Sequence, residues 1–312
     1  MKIIVSPANY KIIGHLIKKA TVDIIQVGIK NLSDKTTCIL TIDRIKRLVQ
    51  LAHQFNKQIF VYIDIFVFEK DLELLTQTLV VLKKIDVDGV VFNDYAVCQI
   101  NYEKQLKLNL IYDPKALVTN YQQFNFYRDN GINNVVIANE LKLHEINEMC
   151  LNKNDIKLIK QVSGYVFMMQ SRWDLISLFL KRHKIDYEVK NKKLFLKEEL
   201  RPFPSLIFEN KYGTHIYTGY TLSNLSYLKN LYDNQLDYLY IDGIMQTDTW
   251  LIDTLEIYSK AIKYIEENKD IDSLIEKEKE INQYLATGFI DNDLKQIMYL
   301  SNDMLSEGEN NE

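Results

Sequence analysis

Short, β-branched apolar runs recur along the chain. Most give way to stretches whose apolar residues return every three to four positions. The first pattern predicts buried strands and the second predicts amphipathic helices. Strands are expected at residues 2–6, 23–27, 58–65, 89–93, 108–112 and 134–138, within 155–166, and at 238–242. Helices are expected at 10–19, 42–55, 72–84 and 143–151, with a short helical turn at 95–101. Strand alternating with helix demands parallel strands covered on both faces. Eight such units predict an α/β protein, a TIM-like (β/α)8 barrel, with a doubly wound open sheet as the alternative.

One stretch breaks this rhythm. Residues 187–196 alternate and turn at Asn191-Lys192 as a hairpin does, and 206–208 and 215–218 flank the turn-rich 209–213. These signals mark a small β insertion at about 178–222, before the last strand. Residues 1–265 then make the barrel with its insertion, and 266–312 a helical C-terminal tail whose last residues, 306–312, are acidic. From Thr247 onward, Ile252, Leu255, Ile262 and Ile265 share one helical face.

Composition narrows the class. A chain of 312 residues suits one such barrel with an appendage. An apolar fraction of 47% beside 26% charged residues excludes wholesale disorder. No apolar run reaches the roughly 18 residues of a membrane span, and the apolar start is too short for a secretory signal. A cytoplasmic protein with no membrane partner is expected. Thirty-eight Lys and Arg against 42 Asp and Glu give −4, so only a local basic patch could meet nucleic acid. Few glycines and prolines beside 20 tyrosines fit an AT-rich bacterial source. Cys38, Cys98 and Cys150 are widely spaced and match no zinc motif. Three thiols also cannot give an iron–sulfur cluster four protein ligands, so free, packed cysteines and no metal site are expected.

In a barrel, function gathers where strands end at their carboxyl termini. Those positions hold Lys30, Asp64, Asn93 with Asp94, Asp113, Asn139 with Glu140, Gly164 with Tyr165, and Asp242 with Gly243. Polar groups converging there suit acid–base work or a hydroxylated ligand, although Asp and Asn after strands also cap helices. The G-x-S-x-G, H-E-x-x-H, P-loop and G-x-G-x-x-G motifs are all missing. His15, His53, His144 and His183 fall in helices or in the insertion; His215, in Gly213-Thr214-His215, stands apart. Trp173 beside Arg172 suggests a cation–π surface for a base or aromatic ligand.

Read in order, these segments resemble the collagenase-like peptidase family U32. The resemblance rests on Ile3-Ile4-Val5-Ser6-Pro7, Val27-Gly28-Ile29-Lys30, Ala52-His53, Val118-Thr119-Asn120 and Ala138-Asn139-Glu140-Leu141. It continues through Gly164, Ser171 and Tyr240-Ile241-Asp242-Gly243-Ile244-Met245, covering roughly residues 3–265. The departures matter equally. The first two cluster-ligand cysteines of the family align with Phe167 and Asp174, and two family arginines are Asn139 and Ile244. The segment from Gly164 to Arg172 with its Met168-Met169, and the Gly213-Thr214-His215 element, are similar to a short, cluster-lacking subgroup.

That resemblance implies a cytoplasmic bacterial heterodimer with a cluster-bearing paralogue, acting in tRNA modification. The tRNA hydroxylation it implies converts wobble uridine to 5-hydroxyuridine, with prephenate as an implicated small molecule. An iron–sulfur cluster is then expected in the partner and no cofactor in this chain. The barrel-mouth ligand or RNA contacts become Lys30, Asp94, Asp113, Asn120, Glu140, Tyr165, Ser171, Arg172, His215 and Asp242, with Lys30 and Arg172 as anion contacts. No catalytic residue is assigned. The alternatives are a collagenase-like peptidase, which needs Ser171 and His215 brought together, and a non-enzymatic scaffold barrel pairing with the paralogue.

Overall fold

The computed structural model describes residues 1–291 apart from 198 and 200–202. The chain begins β1 (Lys2–Ser6), α1 (Ile13–Lys18), β2 (Ile24–Ile29), β3 (Ile39–Leu40), α2 (Ile42–Gln54), β4 (Gln58–Ile63), α3 (Leu72–Lys84). Next come β5 (Gly89–Phe92), α4 (Ala96–Glu103), β6 (Leu110–Tyr112), α5 (Gln123–Asp129), β7 (Ile132–Val136) and α6 (Leu143–Leu151). The long β8 (Lys157–Ser171) leads to α7 (Leu175–Arg182), β9 (Leu194–Leu196), β10 (Ser205–Asn210) and β11 (Gly213–Ser223). Last are α8 (Leu228–Asp233), β12 (Tyr238–Asp242), α9 (Asp248–Glu266), α10 (Asp272–Ile281) and β13 (Leu285–Ala286).

Eight parallel strands, β1-β2-β4-β5-β6-β7-β8-β12, form a ring. Strand β12 closes it by pairing with both β1 (Ser6 beside Asp242) and β8 (Tyr238 beside Ile159). The barrel expectation therefore holds and the open sheet does not. Alternation along each strand sorts the side chains. Val5, Val27, Val61 and Leu239 face the helices, where they pack with Leu48, Leu79 and Tyr258. Ile4, Phe60, Tyr62, Ile111, Ile159 and Tyr240 fill the barrel interior. Helices α5 and α8, of seven and six residues, are too short to show a clear period in the sequence.

Strand β8 belongs to two sheets. Its first half pairs in the barrel, and beyond Gly164 it runs on antiparallel to β11, which pairs in turn with β10, and β10 with β9. Gly164 has φ +109°, and a Cβ there would sit 2.2 Å from the Asp242 carbonyl oxygen, so the strand leaves the barrel at a point that admits glycine alone. The antiparallel unit thus spans 164–223, wider than the 178–222 marked by turn residues, because the strand does not stop where the barrel does. The hairpin expected about Asn191-Lys192 does not form. Apolar Leu194–Leu196 pairs instead with Ser205, Leu206 and Ile207 of β10.

At the C-terminal side α9 packs Leu251, Leu255 and Tyr258 against the barrel, and α10 follows. The tail leaves helical geometry after Ile281, where β13 joins β11 through Thr221–Leu285 pairing. The rest of the expected helical tail, 292–312, lies outside the described residues.

Candidate functional site

Four carboxylates and two lysines meet at the carboxyl ends of the barrel strands. Asp64 follows β4 and accepts the backbone N–H groups of Asp34 (2.7 Å) and Lys35 (3.1 Å). Its carbonyl accepts the Lys35 ammonium and the Asn93 amide. Asp34 accepts Lys35 Nζ at 3.1 Å and Gln170 Nε2 at 2.6 Å. Across the mouth, Asp113 accepts the Tyr62 hydroxyl at 2.9 Å and pairs with Lys115 at 3.0 Å. The Lys115 ammonium also lies 5.0 Å from the Tyr62 ring centre and 5.8 Å from that of Tyr240. Both Lys115 (φ 66°) and Leu117 (φ 73°) adopt left-handed backbone in the loop that delivers this ammonium, a conformation costing about 1 kcal/mol or more per residue.

Four acids against two cations leave excess negative charge in a dry place, and the protonation equilibria respond. Burial pushes Asp64 up to about 7 and Asp242 up to about 6, with Lys35 and Lys115 respectively holding each lower than burial alone would. Burial works against the Lys115 ammonium, yet Asp113 and Asp242 outweigh it and raise the group above its ordinary value. A carboxyl raised toward neutrality, as Asp64 is, lies in the range an acid–base group needs.

The expected residues divide sharply. Asp113 and Asp242 stand in this network. Asp94 caps α4 by accepting Ala96 N–H at 2.9 Å. Lys30, Asn120 and Glu140 are exposed. Tyr165 is half-buried under Lys193, whose ammonium lies 5.0 Å from its ring, on the other side of the insertion. Ser171 accepts the Trp173 N–H at 3.1 Å. His215 is buried, stacked on Phe208 at 4.8 Å and linked to Asn210 at 3.2 Å, and burial pulls it down to about 4. Ser171 and His215 do not form a nucleophile–base pair. Ser171 sits beside Thr214 and His215 beside Gln170, and successive strand positions point to opposite faces. Arg172 stacks on Phe68 at 4.3 Å rather than on Trp173, which is 70% exposed.

Asp34, Lys35, Lys115 and Tyr62 were missed. The first two lie in a loop where strand-end reasoning stops at Lys30, and Lys115 sits two residues past the candidate Asp113.

Phe167, Asp174, Asn139 and Ile244, the departures from the family pattern, are engaged in packing, an ion pair and hydrogen bonds. Phe167 meets Tyr217 edge-on at 5.5 Å, and Asp174 pairs with Lys190 at 2.5 Å at the start of α7. Asn139 accepts Lys160 Nζ at 2.7 Å and donates to Gln161 at 3.1 Å. Ile244 is buried against Leu206, Phe208 and Tyr217. The cysteines lie on separate outer segments, Cys38 before β3, Cys98 on α4 and Cys150 on α6, and burial raises their thiols to about 12, 12 and 11. These residues do not fit an iron–sulfur cluster. Among the described residues no group of three or more His, Cys, Asp and Glu is placed to hold a metal ion, and no helix is long and apolar enough to cross a membrane.

Comparison with known proteins agrees with the sequence resemblance. A tRNA hydroxylation protein P2 of Bacillus subtilis (strain 168) is 27% identical over 257 residues, covering 78% of this chain and 83% of that protein. A tRNA hydroxylation protein P of Helicobacter pylori (strain J99) is 24% identical over 236 residues, covering 71% of this chain and 54% of that protein. Among solved structures, a U32 peptidase superposes with a TM-score of 0.48 at 13% identity, covering 78% of this chain and 92% of the other. The profile of peptidase family U32 matches residues 14–299. The chain belongs to peptidase family U32.

Proposed function

We propose that this chain is the cluster-lacking subunit of a bacterial, cytoplasmic tRNA wobble-uridine 5-hydroxylation system, working with a cluster-bearing paralogue. One observation carries the reading. A chain similar to tRNA hydroxylation proteins over most of its length has Phe167 and Asp174 where the family resemblance implies cluster ligands, and both side chains are engaged in packing and ion pairing. The iron–sulfur cluster and its chemistry then reside in the partner. This chain's part is to bind and orient, through the exposed Arg172 and Lys30 and the poised acids of the mouth. Prephenate, an anionic small molecule, fits the same positive groups.

The test is nucleoside mass spectrometry of tRNA from a deletion strain grown without oxygen. Loss of 5-hydroxyuridine, restored by this gene only when the paralogue is present, is the expected result. Unchanged hydroxyuridine overturns the reading. The internally paired mouth also favours the scaffold reading, because Asp34, Asp64 and Asp113 already have partners. Charge reversal of Lys30 and Arg172 together separates the two: loss of modification with intact pairing supports a ligand site, and no effect supports a scaffold.

A further inference from the structure

Beside the buried charge network of the mouth runs an open groove of about 440 Å³, between the loops after β2 and β4 and the far end of the β8–β11 ribbon. Its walls include Phe66, Phe68, Lys70, Arg172, Lys211 and Tyr212, and one acid, Asp71, whose carboxylate accepts the Phe68 N–H. Phe66 is 46% and Phe68 39% exposed, so two large rings are left facing solvent at the rim of an ionic site. Cations lie over the rings: Arg172 is 4.3 Å from the Phe68 centre and Lys211 is 4.7 Å from that of Tyr212. Lys211 also donates to Asn31 at 2.9 Å. Among the described residues, none of Lys70, Arg172 and Lys211 forms an ion pair. On the floor, Asp34 pairs with the Lys35 ammonium and accepts the Gln170 amide. Gln170 spends its amide N–H on Asp34, which leaves its buried Oε1 without a donor.

Exposed rings, unpaired cations and a vacant acceptor are together the requirements of a nucleotide: a flat face to stack, a phosphate to neutralise, and an N–H to receive. We infer that this groove holds one uridine nucleotide of single-stranded RNA, its base stacked on Phe66 and Phe68, its phosphates on Lys70, Arg172 and Lys211, and its imino N–H directed to Gln170. Uracil carries that N–H where cytosine carries a second acceptor, so the floor discriminates between them. The inference deepens the tRNA reading and rests on it for the class of polymer.

The experiment measures binding of fluorescein-labelled oligouridylate and oligocytidylate to the full chain, alone and with its paralogue, across a salt series. The wild type is expected to prefer oligouridylate. The double variant R172E/K211E loses at least tenfold in affinity, and its log–log salt slope falls by about 1.4, the share of two single-strand phosphates. Phe68→Ala loses at least fivefold, and Gln170→Leu, which takes the acceptor away, removes the uridine preference. Thermal melting of each variant verifies the fold. Wild-type RNA affinity in R172E/K211E overturns the groove, as does competition by an aromatic carboxylic acid with no measurable RNA binding. Nucleoside analysis of complemented deletion strains keeps the two proposals apart. Full hydroxyuridine with R172E/K211E sinks the groove and spares the tRNA reading. Lost oligouridylate binding alongside unchanged hydroxyuridine in the deletion strain spares the groove and sinks the hydroxylation.

Discussion

The barrel and its insertion solve opposite problems. Residues 164–223 carry ten Lys and Arg against six Asp and Glu, a net of +4, within a chain whose total is −4. The rest of the chain therefore sums to −8, half of it in residues 292–312, and the barrel mouth buries its charge in tight pairs. The Asp113 and Lys115 side chains are only 2% and 13% exposed. The insertion has a small core of Leu206, Phe208 and Tyr217 but leaves its outer part in solvent, where α7 has no buried residue at all. A buried pair and a surface pair look alike as distances but not as energies, because a charge stranded out of water costs far more than one that water can solvate.

The largest expected effect tests that contrast directly. Asp113→Ala strands Lys115 beside two tyrosine rings, and urea unfolding should show a loss of about 3–5 kcal/mol. Asp174→Ala breaks a shorter contact, to Lys190, between side chains 45% and 36% exposed, and should cost less than about 1 kcal/mol. Equal losses would dissolve the distinction between the two regions.

The hinge between them comes next. Gly164→Ala forces a Cβ against the Asp242 carbonyl at a positive φ, and should cost at least about 2 kcal/mol. Limited proteolysis should then cut first within 164–223, since the strain falls where β8 leaves the barrel. Uniform cleavage would show that insertion and barrel unfold as one.

A smaller effect concerns pH. Glu278, buried on α10 and bonded to Ser223, is pushed up to about 7 by burial. A carboxyl whose folded value exceeds its unfolded one stabilises the fold fully below about 4.3, and that stability is lost as pH rises to about 7. Asp64 and Asp242 act with the same sign. His215, lowered to about 4, acts oppositely, adding stability as pH rises from about 4 to 6.5. The whole-protein slope mixes these, so Glu278→Gln is the cleaner measurement. Its melting temperature should gain on wild type between pH 4.5 and 8, by the equivalent of about 1–3 kcal/mol. A constant difference across that range would mean Glu278 titrates normally.

The same contrast explains what could be read from the chain. The barrel was legible because Val5, Val27, Val61 and Leu239 repeat one physical demand, an apolar strand between two layers, eight times over. The insertion edges were not, since β8 crosses from barrel to ribbon with no break in apolar pattern and a single glycine at the junction. Strand ends pointed to Asp113 and Asp242. They could not point to Asp34 and Lys35, because a buried ion pair in an aperiodic loop has no pattern until Asp64 is placed beside it. Arg172 was singled out with Trp173, but its ring partner is Phe68, some hundred residues away in sequence, and contacts at that separation are fixed by topology alone.

The smallest expected effect completes the contrast. Leu175, Leu178 and Phe179 form one apolar face of α7 and are 41%, 46% and 57% exposed. An apolar side chain stabilises a fold only by the area it removes from water, about 25 cal/mol per Å², and these three remove little. The double variant L178S/F179S should therefore shift the urea midpoint of the isolated chain by the equivalent of no more than about 0.5 kcal/mol. In the barrel layer, Leu251→Ala, at a fully buried position, should cost about 2–5 kcal/mol. If the α7 variant instead melts like the Leu251 variant, its apolar face is buried in the isolated chain, and α7 must be counted with the insertion's small core of Leu206, Phe208 and Tyr217 rather than as an exposed helix.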